Sequence, residues 1–102
     1  MSAKWADYLI SAVRYNPAGT HIDEVLAHED RGETVGSGIS ANRAEVVRAL
    51  EIGTTFMTIF MGPDSRWIKG ASVGTVTIEG EKYIRTDADR TKKDNLDRLP
   101  QF

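Results

Sequence analysis

Cysteine is absent from this chain. That excludes disulfides, thiolate nucleophiles and cysteine-held zinc or iron–sulfur centres, and it leaves the redox compartment open. A surplus of positive charge is also missing: thirteen Lys/Arg stand against fifteen Asp/Glu, a net charge of −2. Gripping phosphates draws on a Lys or Arg at each contact, so nucleic acid is disfavoured as the main partner. No apolar run approaches the roughly 18 residues of a membrane-spanning helix, so no membrane partner is expected. Met1–Asp7 carries one lysine and then an aspartate before any apolar run forms. No secretory signal is read there, and the cytoplasm is the expected location.

What is present is the composition of an ordinary globular protein. The 40% apolar and 27% charged fractions separate it from disordered chains, and 102 residues suffice for one core without staples. One domain over residues 1–102 is expected, with no repeat, linker or low-complexity segment. The charge is uneven. Residues 1–51 hold five Lys/Arg against eight Asp/Glu, while residues 52–102 hold eight against seven.

The organising unit runs from Ser40 to Met61. Ser40 is suited to cap a helix, with Ile39 stapled onto Ala44. Val46, Val47 and Leu50 share one face, and Gly53 is placed to close the helix. Thr54–Met61 then reads as a strand apolar on both faces. Upstream, Ala6–Tyr15 has apolar residues on both faces, as an interior strand does. Asn16-Pro17-Ala18-Gly19 is a turn, with proline and glycine supplying the required φ values. Thr20–His28 fits a returning strand, with a short helix over Asp23–Glu29 as the competitor. Glu29–Gly38 reads as a loop.

Downstream, Gly62-Pro63-Asp64-Ser65 is a turn. A strand starts at Arg66–Lys69, is bent or bulged at Gly70 and Gly74, and continues over Val73–Ile78. Glu79-Gly80 makes a tight hairpin into a strand over Glu81–Thr86. Asp87–Lys93 is polar. Asp94–Leu99 reads as one capped helical turn, with Leu96 and Leu99 inward, Pro100 as the stop and Phe102 returning to the core. The fold class is α+β: a mostly antiparallel sheet of about five strands in the order β-β-α-β-β-β, one helix on a face, and the terminal turn.

Several of these residues together carry a resemblance: Ile10, Ala12, Val13 and Arg14; Arg43, Val46 and Val47; Gly53; Tyr83-Ile84-Arg85-Thr86. The most distinctive is the tail Asp94-Asn95-Leu96 with Leu99-Pro100. The pattern resembles a family of small bacterial and phage-borne domains of unknown function, over nearly the whole chain. The resemblance implies no activity, cofactor or catalytic residue. The family's tail often continues with an acidic residue and a cysteine. Gln101-Phe102 stand there in this chain, so no role for that thiol carries over.

Three patterns invite chemical readings, and each has a blander one. Gly36-Ser37-Gly38-Ile39-Ser40-Ala41 fits G-x-G-x-x-A at a helix start, but the chain is too short for a doubly wound dinucleotide fold. A flexible loop and cap is favoured, with an anion site at the N–H groups of Ala41 and Asn42 as a weaker reading. Asp87-Ala88-Asp89 opens like a calcium loop, yet Lys92 and Arg98 occupy the positions that need Gly and a bidentate Glu. His21 and His28, with Asp23, Glu29 and Asp30 nearby, read as solvated side chains rather than a metal site. No G-x-S-x-G elbow occurs.

No catalytic residue, metal ligand or cofactor is therefore assigned. The candidate binding residues are Arg66, Trp67, Lys69, Tyr83 and Arg85, an aromatic and basic set on neighbouring strands. The opposing reading places Trp67 and Tyr83 in the core. The expected function is a non-catalytic binding module acting through protein–protein contact, a regulator or inhibitor, with a homodimer through an edge strand as one form of that contact. Nucleic-acid binding by the Trp67/Tyr83 face is the alternative, and a small enzyme the third reading.

Overall fold

The computed structural model describes residues 5–19, 21–32, 34–64, 66–86, 96 and 99–102. Strands β1 (Tyr8–Tyr15), β2 (Ile22–Glu29) and β3 (Ile39–Asn42) come first, then helix α1 (Arg43–Glu51). Strands β4 (Phe56–Met61), β5 (Trp67–Ile78) and β6 (Glu81–Arg85) follow. They form one six-stranded sheet in the order β3-β2-β1-β4-β5-β6. Every pairing is antiparallel except β1 with β4. That parallel pair follows from chain path: β2, β3 and α1 lie between its strands in sequence and carry the chain across.

The sequence suggests five strands, and the sixth is β3. Its four residues place two side chains on each face, too few for a period to show. Ser40 is consequently a strand residue whose hydroxyl bonds the Glu24 carboxylate, not the helix cap. The cap is Asn42. Its Oδ1 accepts the Glu45 N–H at 2.9 Å, and the Glu45 carboxylate accepts the Asn42 N–H at 3.2 Å, a reciprocal capping box. Ile39 is not stapled to the helix; it stands 70% exposed. The other end follows the sequence. Gly53 has φ of +95°, its N–H reaches the Leu50 carbonyl, and the Thr54 N–H reaches the Ala49 carbonyl, which closes the helix.

The segment after the first turn is a strand and not a helix. β2 pairs with β1 on one side and β3 on the other, and two ladders outweigh a seven-residue helix that would start from a costly nucleus. β5 is one continuous 12-residue strand, and it carries the bulge expected at Gly70: Lys69 faces Ile59 and Ser72 faces Met57, so three steps on β5 span two on β4. The first part of β5 pairs with β4, and Gly74–Ile78 pairs with β6. Thr58 sits at the register shift between Met57 and Ile59, and its Oγ1 accepts the Ala71 N–H at 2.9 Å. Gly70 is the reason the strands can lie so close: a Cβ there would sit 2.2 Å from Thr58 Oγ1 and 2.7 Å from Thr58 O.

Two cores flank the sheet. Beneath α1, Ile10, Val13, Ile22, Val25, Val46, Phe56, Val73 and Ile84 are buried together with Leu96 and Leu99 of the tail. Ala6, Leu9, Met57 and Ile59 make a smaller cluster, with Val35 and Trp67 against it. Leu9 and Ile10 thus point to opposite clusters, as the two-faced apolar pattern of β1 suggests. The tail itself adds to β1. Val13 N–H donates to Pro100 O at 2.9 Å and Phe102 N–H to Val13 O at 3.1 Å. Phe102 does not enter the core; the Arg14 guanidinium lies 4.7 Å over its ring at the surface. Asp87–Lys93 and most of the turn expected over Asp94–Leu99 lie outside the described residues.

The sheet curls without closing into a barrel. Lys82 Nζ on β6 meets Glu51 of α1 at 2.7 Å, and Arg43 donates to the Lys82 carbonyl. His21, just before β2, meets Glu81 at 3.1 Å and stacks on Tyr83. These contacts hold the β6 edge toward the helix.

Candidate binding cleft

Tyr8 opens β1 and Phe56 opens β4, and the parallel register sets them side by side. Their rings stack with centroids 5.6 Å apart, which makes one wall of a cleft. The opposite parts of the lining are mostly small. Ala27 of β2, Ala41 of β3 and Ala49 of α1 face it, where larger side chains would fill the space between helix and sheet. The cleft measures about 440 Å³, within the usual range for sites that hold a small molecule or a few side chains. Ile39 forms its lip, and Glu29, Arg31 and Glu45 give it a charged rim. Among the described residues the rim holds a loose ion pair, Arg31 to Glu29 at 3.9 Å with both side chains well exposed.

Beside the cleft, β3 is the last strand of the sheet, and no described strand pairs with its outer edge. An edge of this kind presents backbone N–H and C=O groups to whatever can pair with them. Glu29, Arg31, Ser37 and Glu45 surround an apolar floor, and among the described residues no nucleophile–base hydrogen bond lies in the lining. Among the described residues no group of three His, Asp or Glu could hold a metal ion.

The residues marked out by the sequence are dispersed. Arg66 and Lys69 are exposed, with Arg66 beside Asp64 at 3.7 Å. Trp67 is half-buried against the smaller core cluster, 5.7 Å from the His28 ring. Tyr83 is 4% exposed and Arg85 3% exposed. Tyr83 stacks on His21 at 5.5 Å and its hydroxyl donates to Glu81 at 3.1 Å. The five therefore share no single exposed face: Trp67 is opposite Met61 on one half of β5, Tyr83 opposite Val76 on the other. The glycine segment leads into β3 and not into a helix, so Ala41 and Asn42 offer no free helix-start N–H pair. That removes the phosphate-loop reading.

His28 is buried and not solvated, unlike the expectation from its charged neighbours. Its Nδ1 lies 2.9 Å from the Gly36 carbonyl, which can only accept, so Nδ1 carries the proton. Nε2 then accepts the Ser11 hydroxyl at 2.6 Å. A serine bonded to a histidine oriented by a third group is a pattern that activates nucleophiles. Here both side chains are buried, with Trp67 against the imidazole, on the sheet face away from the cleft. What the relay does is tie the β1 bulge around Ser11 to the loop after β2. Sequence reasoning missed it because the two residues stand 17 apart with no shared motif.

A family model described as "Protein of unknown function (DUF3892)" matches residues 9–100. The chain belongs to this family. No curated protein and no solved structure matches it. The DUF3892 match spans every cleft residue except Tyr8, which precedes it by one position.

Proposed function

We propose that this DUF3892 domain is a non-catalytic binding module that acts through protein–protein contact, a regulator or inhibitor, and that its partner seats in the cleft beside β3. One observation carries this reading: an apolar cleft adjoins a sheet edge that no described strand pairs, and its lip residue Ile39 is 70% exposed. Backbone pairing at an edge supplies affinity, and a neighbouring pocket for alternate side chains supplies selectivity. A polypeptide can use both at once, whereas a small molecule uses only the pocket. The nucleic-acid alternative has less to build on, since Tyr83 is buried and Trp67 already packs on His28. The tail Asp94-Asn95-Leu96 with Leu99-Pro100 is proposed as a family motif, and a bacterial or phage origin would favour an inhibitor of host machinery acting in the cytoplasm.

Selection of binders from a displayed library of random 12-residue peptides tests the reading. Enriched peptides are expected to carry apolar residues in an extended pattern. Ile39→Ser and Tyr8→Ala alter exposed side chains, so folding should survive and each should weaken binding about tenfold or more, as loss of an apolar anchor does. Selection that enriches nothing, or binders indifferent to both substitutions, would remove the cleft from consideration.

A further inference from the structure

The partner's chemistry can be narrowed, on the premise that the cleft beside β3 is the binding site. We infer that the occupant is an extended segment with apolar residues at its centre and basic residues on its flanks, added as a strand to the outer edge of β3.

The extended form follows from the edge. β3 runs antiparallel to β2 with Ile39 opposite Ala27 and Ala41 opposite Val25. Ile39 and Ala41 both line the cleft, so they share the face toward α1. A strand added outside β3 would continue that alternation and set every second side chain over the cleft. Ala41 leaves room beside Ile39 for one of them, and the Tyr8–Phe56 wall closes the far side.

The basic flanks follow from charge. The cleft rim carries two carboxylates, Glu29 and Glu45, against the single guanidinium of Arg31. On the other face, Ser40 is hydrogen-bonded to a third carboxylate, Glu24, which Arg14 meets at 3.4 Å. The elements forming this edge all lie in residues 1–51, the half with five Lys/Arg against eight Asp/Glu. Complementary charge at a rim steers encounter and rejects like-charged partners.

The same charges argue against a second copy. Antiparallel self-pairing centred on Ser40 keeps Ile39 and Ala41 on one face and sets Ser40 opposite Ser40 of the other copy. Each Ser40 is bonded to its own Glu24, and with Glu29 and Glu45 on the rim the pairing would bring two acidic edges together. Like charges placed opposite each other across strands are unfavourable.

Three heptapeptides test this on the full chain. Each has valine-threonine-leucine at the centre, flanked on both sides by two residues that are lysine, serine or glutamate. The lysine peptide is expected to bind at least tenfold tighter than the glutamate peptide at low salt, with serine between. The gap should shrink as salt rises, because exposed charges are screened. Glu29→Gln with Glu45→Gln should narrow it as well, and glutamine keeps the capping role of residue 45. Equal or tighter binding of the glutamate peptide, still lost in Ile39→Ser, would overturn the basic partner while leaving the cleft as the site. Failure of all three peptides, with nothing enriched from the library, would overturn both. A concentration-dependent dimer that the lysine peptide cannot dissociate would instead assign the edge to a second copy.

Discussion

Gly70→Val is expected to abolish the fold. A Cβ at position 70 would lie 2.2 Å from Thr58 Oγ1 and 2.7 Å from Thr58 O, closer than real Cβ atoms approach. Thr58 has no room to retreat: it is fully buried at the register shift of β4, and its Oγ1 holds the Ala71 N–H. Phe60 Cε2 would be a third clash at 2.8 Å, and because Thr58 O is backbone, relief requires β4 and β5 to separate at the centre of the sheet. Overpacking of a core commonly costs about 1–3 kcal/mol where side chains can adjust. Backbone displacement here should exceed about 3 kcal/mol, a large share of the roughly 5–15 kcal/mol available to a domain. Gly74→Ala is the control, because nothing lies within 4 Å of a Cβ there. Urea unfolding followed by circular dichroism should find Gly74→Ala near the parent and Gly70→Val unfolded or nearly so. Equal effects of the two substitutions would show that close approach at Gly70 does not hold the strands in register.

Leu96→Ala carries the second large effect. Leu96 has no exposed surface and packs in the same core as Ile10, Val13, Val46 and Ile84. Removing a fully buried leucine side chain typically costs about 2–5 kcal/mol, through lost transfer energy and the cavity left behind. For a domain of this size that corresponds to a fall in Tm of roughly 10 °C or more. Phe102→Ala should matter much less, since its ring is 39% exposed and meets Arg14 at the surface. Comparable thermal shifts for the two would mean that the tail is held by its backbone pairing with Val13 and not by its leucines. The distinction bears on the tail: Leu96 and Leu99 read as inward-facing in sequence, and both are buried in the core.

The scaffold was largely legible in the chain, and the cleft was not. Gly53 could be read as the helix stop because its requirement is local, one residue with positive φ just past the last apolar turn. The two-faced pattern of β1 and β4 could be read because each strand is long enough to show both faces. β3 could not, at four residues, and its omission hid the sheet edge. The Asn42-to-Glu45 capping box was present in the sequence, but Ser40 offered a competing cap and the glycines before it suggested a loop. The cleft left still less trace. Its floor is made by alanines at positions 27, 41 and 49 on three elements, and its wall by Tyr8 and Phe56, 48 positions apart. Alanine attracts no notice in a motif search, yet here its small size is what makes the space. The opposite error occurred at Tyr83 and Arg85. Aromatic and basic residues on adjacent strands suggested a surface, but three consecutive residues of β6, Tyr83 to Arg85, are buried, so both of its faces are covered.

The most direct test is an amide chemical-shift map of the full chain titrated with the lysine-flanked heptapeptide. Perturbations are expected at Tyr8, Ala27 to Glu29, Ile39 to Ala41, Ala49 and Phe56, with the amides of Arg66 to Lys69 unmoved. Shifts centred on Arg66, Trp67 and Lys69, with the cleft and the β3 edge silent, would contradict the cleft as the binding site and return it to the start of β5.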